Sequence, residues 1–125
     1  MRLDLKDRRT FSAGRLMSSF RFAGNGLKLA FLEPNMRIHF AAGTIVSAAG
    51  FIFSLTRLEW CIIIGVIAGM MALEIVNTAI EKAVDLVTKE YKPLAGMAKD
   101  LAAGAVLLYA CAAVIIGLII FIPKL

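Results

Sequence analysis

The 125-residue sequence has one histidine, one tryptophan, three prolines and two cysteines, and three of its stretches carry no charge at all. Each scarcity excludes something. His39 is the only histidine, and no Ser/His/Asp or Cys/His pattern for nucleophilic catalysis finds support around it. Standing just inside the first apolar block, His39 reads as a packing or interfacial residue rather than as a ligand or base. Cys61 and Cys111 lie inside apolar segments without CxxC or Cys/His spacing, so they are expected as buried packing residues and not as a metal site or a disulfide framework. There is no GxxxxGK[ST], and Gly24 and Gly26 lack the third glycine of GxGxxG, so the familiar soluble nucleotide loops are absent. Neither an internal repeat nor a low-complexity linker is visible. No basic patch interleaved with aromatics suggests nucleic acid as a partner.

What is present is apolar. Hydrophobic residues make up 60% of the chain and the mean hydropathy is +0.82, far above an ordinary soluble domain. The uncharged blocks are Ile38 to Thr56, Trp60 to Leu73 and Leu101 to Pro123; a spanning helix needs about 20 residues. The first block begins too far into the chain for a secretory signal peptide, and two more blocks follow it. The expected fold is therefore an all-α integral membrane protein, one domain over residues 1–125, with three transmembrane helices contained in about 37–55, 60–88 and 99–122.

The net charge of +5 is unevenly placed. Arg2, Lys6, Arg8, Arg9, Arg15, Arg21, Lys28 and Arg37 precede the first block, and Lys82, Lys89, Lys92 and Lys99 lie before the third. The turn after the first block has only Arg57, beside Glu59. Positive residues stay inside, so the amino terminus and the 82–100 connection are expected to be cytoplasmic, with the 55–59 turn and the carboxyl terminus outside. Trp60 is placed as an outer interfacial anchor.

From about 11 to 32, Leu16, Phe20, Ala23, Leu27 and Ala30 recur at three- and four-residue steps while Arg15, Arg21 and Lys28 fall off that stripe. This reads as an amphipathic helix at the cytoplasmic interface, or as a soluble helix packing on its neighbours, weakened locally by Gly14, Gly24 and Gly26. Pro34 marks a break or a fresh helix start. No proline or glycine interrupts Met70 to Lys92, and Pro93 and Gly96 are expected to break the chain before a third span beginning near Lys99. Gly65 and Gly69, with Ala113 and Gly117, would permit close helix contacts.

The anomaly lies in the second apolar segment, which ends in Glu74, Asn77, Glu81 and Asp85. At 100° per residue, with Glu74 as zero, Asn77, Thr78, Glu81 and Asp85 fall at about 300°, 40°, 340° and 20°, one face of one helix. Lys82, at about 80°, stands at the margin of that face and cannot neutralise it. Fourteen steps from Trp60 carry Glu74 about 21 Å inward, near the inner boundary of the hydrocarbon. An acid at that depth must be protonated, compensated or functional, because burying it bare costs several kcal/mol. The alternative is a carboxylate snorkelling or bonded to a neighbouring helix for structure. Glu33 and Arg37, one turn apart, and Lys99 and Asp100 bring further charges to the same level. A site of Glu33, Glu74, Glu81, Lys99 and Arg15 has acids enough for Mg²⁺ and cations enough for phosphates.

The run Glu74-Ile-Val-Asn77-Thr-Ala-Ile-Glu81-Lys-Ala-Val-Asp85 resembles the ExxNTAIExxVD signature of the prokaryotic diacylglycerol kinase family, which includes the undecaprenol kinases. Gly26-Leu-Lys, Glu33-Pro-Asn-Met-Arg37-Ile-His39, Glu90-Tyr91-Lys92-Pro93 and Ala98-Lys99-Asp100 fit as well, so the resemblance runs from about Arg15 onward. It implies a homotrimer of three-span subunits in the bacterial cell membrane that transfers the γ-phosphate of ATP, with Mg²⁺, to a lipid alcohol. It implies Glu74 as catalytic base and Glu33 and Glu81 as the carboxylates that hold Mg²⁺. Arg15, Phe22, Glu90, Tyr91, Lys92, Lys99 and Asp100 resemble further nucleotide contacts, and Arg37, Asn77 and Asp85 substrate-side or supporting residues. The run from Glu33 to His39 and the Asp85-Leu-Val-Thr88 continuation look like the Gram-positive undecaprenol kinase branch, with undecaprenol as substrate and diacylglycerol as the alternative. In the diacylglycerol branch an acid usually stands where His39 is. Two non-enzymatic alternatives are an oligomeric channel or transporter, which would need acids through the whole bilayer depth, and a membrane assembly factor.

Overall fold

The computed structural model describes residues 12–125, and Phe11 with the four basic residues before it lies outside the described part. The chain divides after Glu33 into two compact units. The described part of the first is helix α1, Ala13–Ala30. Ser12 caps it by accepting the Arg15 N–H at 3.2 Å, satisfying one of the free amides of a first turn. The helix passes through Gly14, Gly24 and Gly26 without interruption, and Leu16, Phe20 and Leu27 on its apolar stripe are exposed.

The second unit holds three helices: α2 (Pro34–Ile52), α3 (Arg57–Val87) and α4 (Pro93–Phe121), followed by a 3₁₀ turn, Ile122–Lys124. Pro34 gives the fresh helix start that was one of its two expected outcomes, and Pro93 gives one against expectation, for the same reason. Proline lacks an N–H that a first turn would leave unpaired anyway, so Pro34 and Pro93 begin helices instead of ending them. Hence α4 starts at Pro93 and not near Lys99, with Gly96 donating its N–H to Lys92 at 3.0 Å inside the first turn. Helix α2 ends at Ile52, three residues before the expected limit, in a Schellman arrangement. The Leu55 N–H reaches the Gly50 carbonyl (3.1 Å) and the Ser54 N–H the Phe51 carbonyl (3.4 Å), with Ser54 left-handed at φ 52°. Helix α3 opens at Arg57 through a capping box: Thr56 Oγ1 accepts from the Glu59 N–H and Glu59 Oε2 accepts from the Thr56 N–H.

Helix α3 packs along both α2 and α4. The core at its capped end joins Leu55, Ile63 and Ile120 to Trp60 and Phe121. Trp60 is half-buried there, its ring 4.8 Å from that of Phe51. Lys124 closes this end on Glu59 at 3.0 Å. Glycines set the spacing. A methyl group on Gly43 would lie 2.9 Å from Ile67 Cγ2, and one on Gly50 2.8 Å from Trp60 Cη2. On the α4 side the close approach is at Gly69, occupied by the Tyr109 ring, whose hydroxyl donates to the Gly65 carbonyl at 3.1 Å. Gly117, expected as a contact point, has nothing within 4 Å of where a side chain would begin.

The burial pattern is inverted relative to a soluble protein. Leu107, Leu108, Ile115 and Ile119 are exposed, whereas Glu74 and Asn77 are 3% and 7% exposed. Cys61 and Cys111 are both free, but exposed and not buried as expected, because their helix faces point away from the rest of the chain. Helices α3 and α4 are long and apolar enough to cross a membrane; α2, diluted by Asn35, Arg37 and His39, does not reach that standard by composition. Long helices that expose so many large apolar side chains, with an acid and an amide among the buried residues, suit lipid as a solvent.

Candidate active site

Helix α3 runs unbroken for 31 residues, so its acidic face keeps the 3.6-residue register from the apolar interior to the α3–α4 turn. Along that face exposure rises in order. Glu74 and Asn77 are buried, Glu81 is half-buried and Asp85 is exposed. Each polar group has a different environment. Asn77 Nδ2 donates to Glu81 Oε1 at 3.1 Å, an (i, i+4) pairing on one helix face. Lys99 Nζ donates to Asp85 Oδ1 at 2.7 Å, linking α4 to α3. That contact is an inter-helix bond of the kind the structural alternative allows for, made here by Asp85.

Glu74 instead meets a residue that sequence reasoning assigned to packing. His39 Nε2 stands 3.5 Å from Glu74 Oε2, with side-chain exposures of 24% and 5%. A signal for this lay in the short 53–56 connection, which makes α2 and α3 antiparallel neighbours, so positions at similar distances from it face each other to within about a turn.

The α3–α4 turn gathers four of the nine residues expected on the nucleotide side, Glu90, Tyr91, Lys92 and Lys99. Asp85, Glu90, Tyr91, Lys92 and Lys99 border one cavity of about 250 Å³, together with Thr88 and Gly96. Thr88 shapes it, its Oγ1 accepting from the Glu90 N–H at 3.2 Å. Asp100 is exposed one residue beyond Lys99 and does not line the cavity. Arg37 is exposed on the first turn of α2. Arg15, Phe22 and Glu33 belong to the first unit; within it, Phe22 has the Arg21 guanidinium 5.6 Å from its ring centroid.

Among the described residues no three His, Cys, Asp or Glu side chains converge as a ready-made metal cage. Mg²⁺ does not require one, because it is usually held by one or two carboxylates together with phosphate oxygens and water. Glu81 offers such a carboxylate. Beside it Asn77 Oδ1 is buried without a hydrogen-bond partner, and a buried acceptor of that kind is satisfied by a donor or cation from outside the chain. The donor set therefore fits a hard cation carried on a phosphate.

A buried carboxylate, a metal-suited pair one to two turns beyond it, and a cavity lined by three lysines follow one another along α3 and into the α3–α4 turn. The sequence profile described as prokaryotic diacylglycerol kinase matches residues 21–121. This chain belongs to the prokaryotic diacylglycerol kinase family. Within the family it is 48% identical over 124 residues to the undecaprenol kinase of Bacillus subtilis (strain 168), covering 98% of this chain and all of that protein. It is 43% identical to a diacylglycerol kinase of Synechocystis sp. (90% of this chain, 66% of that one). With a diacylglycerol kinase of Haemophilus influenzae it shares 30% identity over 89% of this chain and 92% of that one.

Proposed function

We propose that the chain is a lipid kinase that phosphorylates the terminal hydroxyl of undecaprenol, with ATP as donor and Mg²⁺ as its counter-ion. The observation that carries this reading is the buried Glu74 heading an ordered acidic face, in a chain 48% identical throughout its length to an undecaprenol kinase. The hydroxyl proton passes to the Glu74 carboxylate as the oxygen bonds to the γ-phosphorus; the bond to the bridging oxygen breaks, and ADP leaves. Phosphoryl transfer asks little covalent chemistry of a protein and much positioning and charge neutralisation. Glu81 would offer a carboxylate to the metal, as Glu33 would by the family resemblance, and the metal would supply neutralisation of the phosphates. Lys92 and Lys99 contact phosphate oxygens at the α3–α4 turn. That cavity, about 250 Å³, is below the roughly 300–1,000 Å³ of a site enclosing a whole ligand, so it takes part of the nucleotide. Arg15, Phe22, Glu90, Tyr91 and Asp100 complete the nucleotide side, and Arg37, Asn77 and Asp85 support the substrate end.

In this reading the protein is a homotrimer in the bacterial cell membrane. Helix α2 crosses beside α3 and α4, α1 lies in the cytoplasmic interface with Leu16, Phe20 and Leu27 toward lipid, and the carboxyl terminus is outside. The exposed apolar faces and the placement of lysine and arginine support this arrangement. Diacylglycerol is the second candidate acceptor, favoured by the 43% and 30% identical relatives named diacylglycerol kinases. The test supplies purified protein with labelled ATP and Mg²⁺ and either lipid, comparing wild type with Glu74→Gln. Loss of the base should lower the rate by about 10²–10⁴-fold. Absence of any lipid phosphorylation would sink the kinase reading, and faster diacylglycerol turnover would reverse the acceptor.

A further inference from the structure

The roles given to the acidic face leave His39 unused, although His39 meets the most buried acid among the described residues, Nε2 to Oε2 at 3.5 Å. A carboxylate buried to 5% exposure needs donors, since an ionised acid only accepts hydrogen bonds and an unpaired one costs several kcal/mol in a dry setting. The approach is built by packing. His39 lies one turn before Gly43, where the absent side chain lets α2 close on Ile67 of α3, and Gly50 repeats the close approach two turns later against Trp60. His39 also borders an apolar groove of about 450 Å³ between α2, α3 and α4, whose other lining residues, from Ala42 and Met70 to Ala110 and Phe121, are uncharged. Glu74 is thus the charged group that faces the imidazole.

We propose that His39 is a positioning residue for the transfer. Its Nε2–H turns onto Glu74 Oε2, holds the carboxylate in one orientation and leaves Oε1 for the substrate hydroxyl. The assignment rests on Glu74 being the base.

The test uses the full chain in lipid vesicles with undecaprenol, ATP and Mg²⁺, and measures kcat and KM for wild type, His39→Leu, His39→Gln and His39→Asn. Glutamine can place its amide N–H near the Nε2 position; leucine fills space without a donor; asparagine donates but is one methylene short of Oε2. The expected result is a kcat about 10–100-fold lower for His39→Leu, the scale of a misplaced reacting group, with KM for ATP unchanged and activity largely restored in His39→Gln. His39→Asn should resemble leucine, and it carries the comparison if the leucine variant does not fold. Wild-type activity with an equally active His39→Leu would overturn the positioning role alone. Equal impairment of all three variants would also overturn it, because that pattern marks packing. A wild type inactive on lipid alcohols would overturn the kinase reading and this assignment together.

Discussion

Replacing Gly69 by alanine tests the α3–α4 packing most directly, because the new methyl group would stand 2.6 Å from Tyr109 Cζ and 3.2 Å from Cε2. Carbon atoms pack at about 3.5–4.0 Å, so the ring has to retreat by about 1 Å. That movement also breaks the 3.1 Å bond from the Tyr109 hydroxyl to the Gly65 carbonyl. Overpacking costs about 1–3 kcal/mol, and an inter-helix hydrogen bond in a membrane is worth about 0.6 kcal/mol on average. Alanine returns about 1 kcal/mol through its higher helix propensity. The net expectation is a loss of about 1–2 kcal/mol. In a Tyr109→Leu background the obstacle and the bond are both gone, so the same change should be neutral or stabilising by up to about 1 kcal/mol. A double-mutant cycle, read from reversible unfolding in mixed micelles of mild detergent and dodecyl sulfate, should therefore give a coupling of about 2 kcal/mol. Additivity within about 0.5 kcal/mol would refute the claim that the tyrosine ring sets the α3–α4 distance.

At the end of α2, Ser54→Gly should raise stability by about 1 kcal/mol, since a left-handed C′ position favours the residue without a Cβ; an unchanged unfolding midpoint would count against the Schellman assignment. The Asp85–Lys99 pair, with side chains 54% and 41% exposed, should contribute under about 1 kcal/mol to stability. Lys99→Met should nevertheless raise KM for ATP by about 10–100-fold, the worth of one charge-assisted hydrogen bond; a KM that does not move would remove Lys99 from the nucleotide side.

How much of this was legible depended on whether the information was local. The angular alignment of Glu74, Asn77, Glu81 and Asp85 follows from helical period alone, whereas the rise in exposure along them depends on what packs against each turn. Thr56 and Glu59 carry the spacing of a capping box, readable in principle, yet the helix was expected three residues later because Trp60 dominated as an anchor. Proline at 93 was taken as a stop where N1 chemistry makes it a start. His39 escaped because its meaning is wholly tertiary: nothing within ten residues distinguishes a packed imidazole from one that faces a carboxylate across a helix pair. The pair Gly65 and Gly69 was recognised as a close-contact site, but the visitor is an aromatic ring, which a pattern of small residues cannot specify.

The uninterrupted course of α3 has a consequence for how such a site can change. Its 31 residues make a rod of about 46 Å, and Glu74, Asn77, Glu81 and Asp85 are fixed on it like teeth on a key. A residue inserted between Glu74 and Asn77 would rotate everything beyond it by about 100° and carry it about 1.5 Å along the axis. Loop-built sites absorb insertions; this one cannot, and the spacing of its acids is locked to the thickness of the bilayer it works in. A change that keeps the register has to be made by substitution on α3 or on the helices packed along it, α2 and α4.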